Sequence, residues 1–214
     1  MAVAGLHRLP VDAHAWTRQW VGVFGWGSIP MPAYAYWLWW GAVIVLVLVA
    51  FAVAPWRARL GLAAVLVVGA ALAVALDVLV LRQTRFPVYG RYLLPLAVAL
   101  PLTAGEILTR RAARLRTSTR AALQITVPPL VAAVHLIALW SDARRFATGV
   151  GGPVWFLSHA QWAPPAGWSP WLALTAAGTA CLLACAALGA LTARHTTRPD
   201  THRPGIGSAA SVDL

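Results

Sequence analysis

Three observations on this 214-residue chain predict an all-α, polytopic integral membrane protein with about five transmembrane helices. Hydrophobic residues make up 60% of the chain and charged residues 11%, where about 25% charged is usual in a soluble domain. Mean hydropathy is +0.69. Five stretches carry almost no charge: 36–54, 60–81, 92–108, 121–140 and 171–192. A run of roughly 18 or more apolar residues reads as a bilayer-spanning helix. The chain then divides into an N-terminal interfacial segment (1–33), a membrane domain (34–193) and a polar, disordered cytoplasmic tail (194–214), with little room for a soluble domain.

In the first segment, Trp16, Trp20, Val23 and Phe24 recur at helical spacing and predict a short interfacial helix. Phe24-Gly25-Trp26-Gly27-Ser28-Ile29-Pro30-Met31-Pro32 then stops the helix in an ordered turn before the first span. The second span carries Asp77 near its end. An acid inside a span is a functional candidate, and its simpler reading is an ion pair with Arg82 or Arg85. Between the second and third spans lies Arg82-Gln83-Thr84-Arg85-Phe86-Pro87-Val88-Tyr89-Gly90-Arg91-Tyr92-Leu93-Leu94-Pro95. Arginine this close to hydrocarbon must snorkel, pair or meet an anion. Glu106 and Arg110, four residues apart, form a favourable helical pair. The fourth span holds Pro128-Pro129, expected to kink it, and a lone His135 that reads as a hydrogen-bonded packing residue. A long outer loop at 141–170 is rich in Gly, Pro and Trp, and its aromatics place it on the membrane surface. In the last span Gly178, Cys181, Cys185 and Gly189 make a small-residue stripe suited to close helix contact.

Loop arginines set the orientation. Ten fall on one side of the five spans, including the dense 110–120 cluster in a short loop, and seven on the other. The arginine-rich side is cytoplasmic by the positive-inside rule, so the N-terminus is outside and the C-terminus inside. Of the 12 tryptophans, all but Trp56 then fall on the outer side or its interface. Lysine is absent, and an arginine-only, alanine-rich chain suggests a high-GC bacterial genome and hence a bacterial plasma membrane. The net charge of +11 is spread over membrane flanks and forms no soluble patch, which argues against nucleic acid as a partner. The first 15 residues lack the charged start and apolar core of a cleavable signal. No phosphate-binding loop, dinucleotide fingerprint, zinc spacing or nucleophile triad is present, so no cofactor and no metal are expected, and the catalytic residues stay unknown.

Two motifs suggest a family. Phe24-Gly25-Trp26-Gly27 with Pro30 and Pro32 precedes one span, and Gly90-Arg91-Tyr92-Leu93-Leu94-Pro95 opens another two helices later. In that order they resemble the C-terminal part of the predicted bacterial membrane proteins called domain of unknown function 2142, over about residues 16–108. That family looks like the GT-C class of glycosyltransferases, which use polyprenyl-phosphate sugars outside the membrane. The resemblance implies that Arg91, with Arg85, contacts a lipid phosphate, and that Tyr89, Tyr92, Trp26 and Asp77 complete the substrate-binding surface. Tyr89 stands where the family carries glutamine before the Gly-Arg-Tyr element. The catalytic aspartate of GT-C enzymes lies in a first outer loop preceding the region matched here. The expectation is therefore a chain that lacks the catalytic half and partners membrane lipids, a polyprenyl-phosphate-linked sugar and a separately encoded N-terminal half. The alternatives are a non-enzymatic membrane scaffold or assembly partner, and a transporter component with Asp77, His135 and Pro128-Pro129 along its pathway.

Overall fold

The computed structural model describes residues 2–25 and 27–195, with side chains from 8 to 192. Trp26 and residues 196–214 of the expected tail lie outside the described residues. Six α-helices are present among the described residues: α1 (Ala2–Gly22), α2 (Ala33–Val53), α3 (Trp56–Thr84), α4 (Leu94–Arg110), α5 (Thr117–Thr148) and α6 (Trp168–His195). The last five are long and apolar enough to cross a membrane, α4 with the 3-10 turn Gly90–Leu93 that leads into it. The fold is all-α apart from two strands of two residues each, β1 (Val23–Phe24) and β2 (Ile29–Pro30), paired antiparallel in the expected Gly/Pro turn.

The helices pack as a row, α3–α4–α2–α5–α6, with α2 also touching α3. At one end a hydrophobic core joins α2, α3 and α4 through Ala50, Ala54, Leu62, Ala104, Ile107 and Leu108. Ala54-Pro55 breaks the chain between α2 and α3, because an extended residue before proline cannot continue a helix. The orphan carbonyls of Phe51 and Ala52 are taken by Arg59 Nε and Nη2 at 2.9 and 3.1 Å. Glu106 and Arg110 form the expected pair, at 2.5 Å.

The other face is where α1 lies, together with the 3-10 turn, the β hairpin and the α5–α6 loop. Three sequence expectations change here. The N-terminal helix is 21 residues long rather than short, because α1 docks on α3 and the 3-10 turn. Helix α5 runs on to Thr148, so the loop spans 149–167 rather than 141–170. That loop has its own core. Phe156 is fully buried against Ala143 and Ala147, with Trp140 and Trp168 centroids 4.8 and 5.1 Å away. Its backbone is tied by Trp140 Nε1 to Val154 O (2.9 Å) and by Gln161 N to Ala147 O (2.7 Å). Pro128-Pro129 sit inside a single continuous α5. Finally, His135 bonds back to Val131 O of its own helix at 3.3 Å but is exposed rather than packed. The stripe of Gly178, Cys181, Cys185 and Gly189 is exposed on α6, which rests on α5.

Candidate functional site

The 82–95 connection is built from below. Arg85 closes α3 in the left-handed conformation (φ 66°), its amide bonded to Leu81 O. This turns the chain out of the helix axis, and Pro87 keeps Phe86 from re-entering helix. Thr84 Oγ1 accepts from Phe86 N at 3.2 Å and holds the corner. Pro95 then lies in the first turn of α4, where its missing N–H costs nothing.

Asp77 meets this returning segment. It is 1% exposed, and its Oδ1 accepts from Val88 N at 2.9 Å. The expected ion pair with Arg82 or Arg85 is not formed among the described residues. The physical reason is the accounting of buried amides: Val88 N needs an acceptor, while Arg82 in the last turn of α3 and Arg85 at the left-handed corner remain exposed. Asp77 is thus a strut beneath the surface rather than part of it.

Helix α1 clamps the same segment from the side. Trp16, 4% exposed, donates from Nε1 to Val88 O at 2.9 Å. Gln19 Oε1 accepts from Gly90 N. Gly90 lies so close to α1 that a Cβ there would sit 2.9 Å from both Trp16 Cα and Gln19 Cβ. The glycine of Gly-Arg-Tyr is therefore required by close backbone approach rather than by a left-handed φ. Helix α1 is itself anchored on α2. Tyr36 Oη donates to Gly22 O (2.7 Å) and accepts from Met31 N (2.9 Å), while Trp40 Nε1 donates to Thr17 O (3.2 Å).

Burial alternates along the turn: Val88, Gly90 and Leu93 are buried, while Tyr89, Arg91 and Tyr92 are exposed. The Arg91 guanidinium carbon lies 4.9 Å from the Tyr89 ring centroid and 5.4 Å from that of Tyr92. The two rings meet edge to face at 6.5 Å. The two tyrosine rings hold the planar guanidinium, a group whose N–H fork suits a planar or tetrahedral anion. Of the candidate residues, Arg85, Tyr89, Arg91 and Tyr92 share one exposed connection, and Asp77 supports it from inside.

Sequence reasoning missed the clamp. Trp16 and Gln19, three apart on α1, share a helix face, and that spacing was the available signal. Asp12, on the same helix, is 6% exposed, and its Oδ2 has no hydrogen-bond partner among the described residues. Burial pushes its carboxyl above the usual aspartate range, the nearby Asp77 charge adds to the rise, and Arg8 opposes it. Sequence reasoning also missed a cavity of about 930 Å³ between the hairpin, α5 and α6, whose lining includes Arg144 and Arg145. Among the described residues no group of three His, Cys, Asp or Glu is placed to hold a metal ion.

The model of a family described as predicted membrane protein, domain of unknown function 2142, matches residues 1–100. That segment runs from α1 into α4 and contains the whole clamp and the Arg91 turn. No curated protein and no solved structure matches the chain.

Proposed function

We propose that this integral membrane protein binds the phosphate of a polyprenyl-phosphate-linked sugar at the outer surface of a bacterial plasma membrane, as a non-catalytic part of glycosyltransferase-like envelope polysaccharide assembly. The observation that carries the reading is the exposed Arg91 guanidinium, seated between Tyr89 and Tyr92 on a turn held from two sides. A guanidinium bonds a phosphate through two parallel, charge-assisted N–H···O bonds, which fix the phosphate's orientation. Arg85 adds a second positive charge from the preceding corner, and the tyrosines offer ring edges and hydroxyls to a sugar. Bond-making is not assigned to this face. Asp12 and Asp77 are buried, and Asp142 has one oxygen enclosed. Ten of the 17 arginines on the opposite side support the orientation.

A photoactivatable polyprenyl-phosphate analogue tests the reading in membranes. Label is expected within residues 85–95 and is expected to fall sharply in Arg91→Gln. Unchanged label in that variant would remove Arg91 from the site.

One observation favours a second reading, that of an assembly partner. Helix α6 rests on α5, with its Gly178–Gly189 stripe exposed, as a helix that packs on another membrane protein would be. On that reading the exposed arginines tolerate alanine while bulky substitutions along the stripe disrupt a complex recovered from membranes.

A further inference from the structure

The cavity of about 930 Å³ lies apart from the Arg91 turn. Its lining comes from the β2 turn and the start of α2, from the last turns of α5 and the loop after it, and from the first turns of α6. Its chemistry is graded. Leu136, Leu139 and Leu172 line it from within helices long enough to span a bilayer. Ser28, Arg144 and Arg145 line it from the loop-bearing end. No carboxylate is among its lining residues, and neither arginine makes a salt bridge among the described residues.

Helix α5 has 32 residues, which at 1.5 Å per residue is about 48 Å against a hydrocarbon core of about 30 Å. Its last turn, which carries Arg145 beside Arg144, therefore reaches past the hydrocarbon to the depth of lipid phosphates. Two adjacent guanidinium groups with no carboxylate in the lining, above an apolar trough continuous with spanning helices, match an amphiphile with an anionic head and a hydrocarbon tail. We infer that this groove seats an anionic phospholipid, its phosphate on Arg144 and Arg145 and one chain along Leu136, Leu139 and Leu172. The occupant is a resident of the bilayer rather than a soluble anion, because the apolar wall would otherwise face nothing. The competing role for the arginines is complementing the C-terminal dipole of α5, which predicts no lipid selectivity.

The test uses the full chain purified in mild detergent, with retained lipid measured by native mass spectrometry after exchange against phosphatidylglycerol or phosphatidylcholine. Wild type is expected to retain phosphatidylglycerol about tenfold over phosphatidylcholine, the scale of one charge-assisted contact. Arg144→Gln/Arg145→Gln is expected to lose most of that preference. Ser28→Glu, an exposed position at the groove mouth, adds a repelling charge with little demand on folding and is expected to do the same. Arg91→Gln is expected to keep the preference, so failure here and failure of the Arg91 reading are distinguishable. The inference is overturned if wild type shows no preference, if both groove variants retain it, or if only Arg91→Gln removes it. Complete displacement by excess inorganic phosphate would likewise overturn it, since the seat would then take a free anion.

Discussion

Replacing Gly90 by alanine places a methyl group into the contact between α1 and the Arg91 turn. The new Cβ would lie 2.9 Å from Trp16 Cα, 2.9 Å from Gln19 Cβ and 3.1 Å from Trp16 O. Two of those three atoms are backbone, so no rotamer change relieves them; α1 must move. Overpacking of this kind costs about 1–3 kcal/mol. The gain from restricting the unfolded chain offsets about 0.4–1 kcal/mol. The net expectation is a loss of up to about 2.6 kcal/mol, centred on about 1.3 kcal/mol, which is roughly 3–5 °C in Tm for a chain of this length. The loss is local. Moving α1 also lengthens the Gln19–Gly90 and Trp16–Val88 bonds, so α1 should become protease-sensitive before the spanning helices unfold. The assay is limited proteolysis in nanodiscs alongside a thermal melt. A variant with wild-type melting and an uncut α1 would refute the close-approach account of this glycine.

Other consequences of the same geometry are equally specific. Asp77→Ala leaves Val88 N buried without an acceptor and is expected to cost about 1–3 kcal/mol, while Asp77→Asn keeps a carbonyl oxygen and should cost less; a comparison of melts checks the order. Asp12 titrates above its ordinary value of about 3.9, so between that value and its raised one the folded state holds more protons than the unfolded. Stability therefore falls as pH rises through that window and is greatest below it. Asp12→Asn is expected to raise Tm at neutral pH and flatten this dependence, measured as melts across about pH 4 to 7. Phe156→Ala empties a fully buried site in the 149–167 loop and is expected to cost about 3–5 kcal/mol, appearing as early proteolytic cleavage there.

Much of the fold was legible because a membrane imposes a one-dimensional rule. An apolar run such as 36–54 or 60–81 has few other places to go, and α2 and α3 overlie both. Helix ends were less legible. The spanning helices extend beyond the apolar runs, since Arg57 at the start of α3 and Arg144 near the end of α5 are helical yet charged. Helix α1 was only partly visible, because its full length depends on docking to a turn more than seventy residues away, through Trp16 to Val88. For the candidate site, Gly-Arg-Tyr lies on the turn that α1 and Asp77 hold, and the burial pattern along Val88–Leu93 leaves Arg91 exposed. Asp77 was the residue most open to misreading. Sequence shows that an acid lies within a helix but cannot tell an ion pair from a backbone amide as its partner. The groove at Arg144 and Arg145 was hidden for the same reason, since it joins β2, α5 and α6 across a wide separation in sequence.

The central claim is that the clamped turn presents Arg91 to a lipid phosphate. Equilibrium binding of a short-chain polyprenyl phosphate to the protein in nanodiscs tests it most directly, with wild type, Arg91→Lys and Arg91→Gln compared at one ionic strength. A charge-assisted hydrogen bond of about 1.5–3 kcal/mol predicts a Kd raised roughly 10- to 150-fold in Arg91→Gln. Arg91→Lys is expected between the two, since lysine keeps the charge but loses the bidentate fork. Equal affinity in all three proteins, with α1 still resistant to protease, would contradict the account.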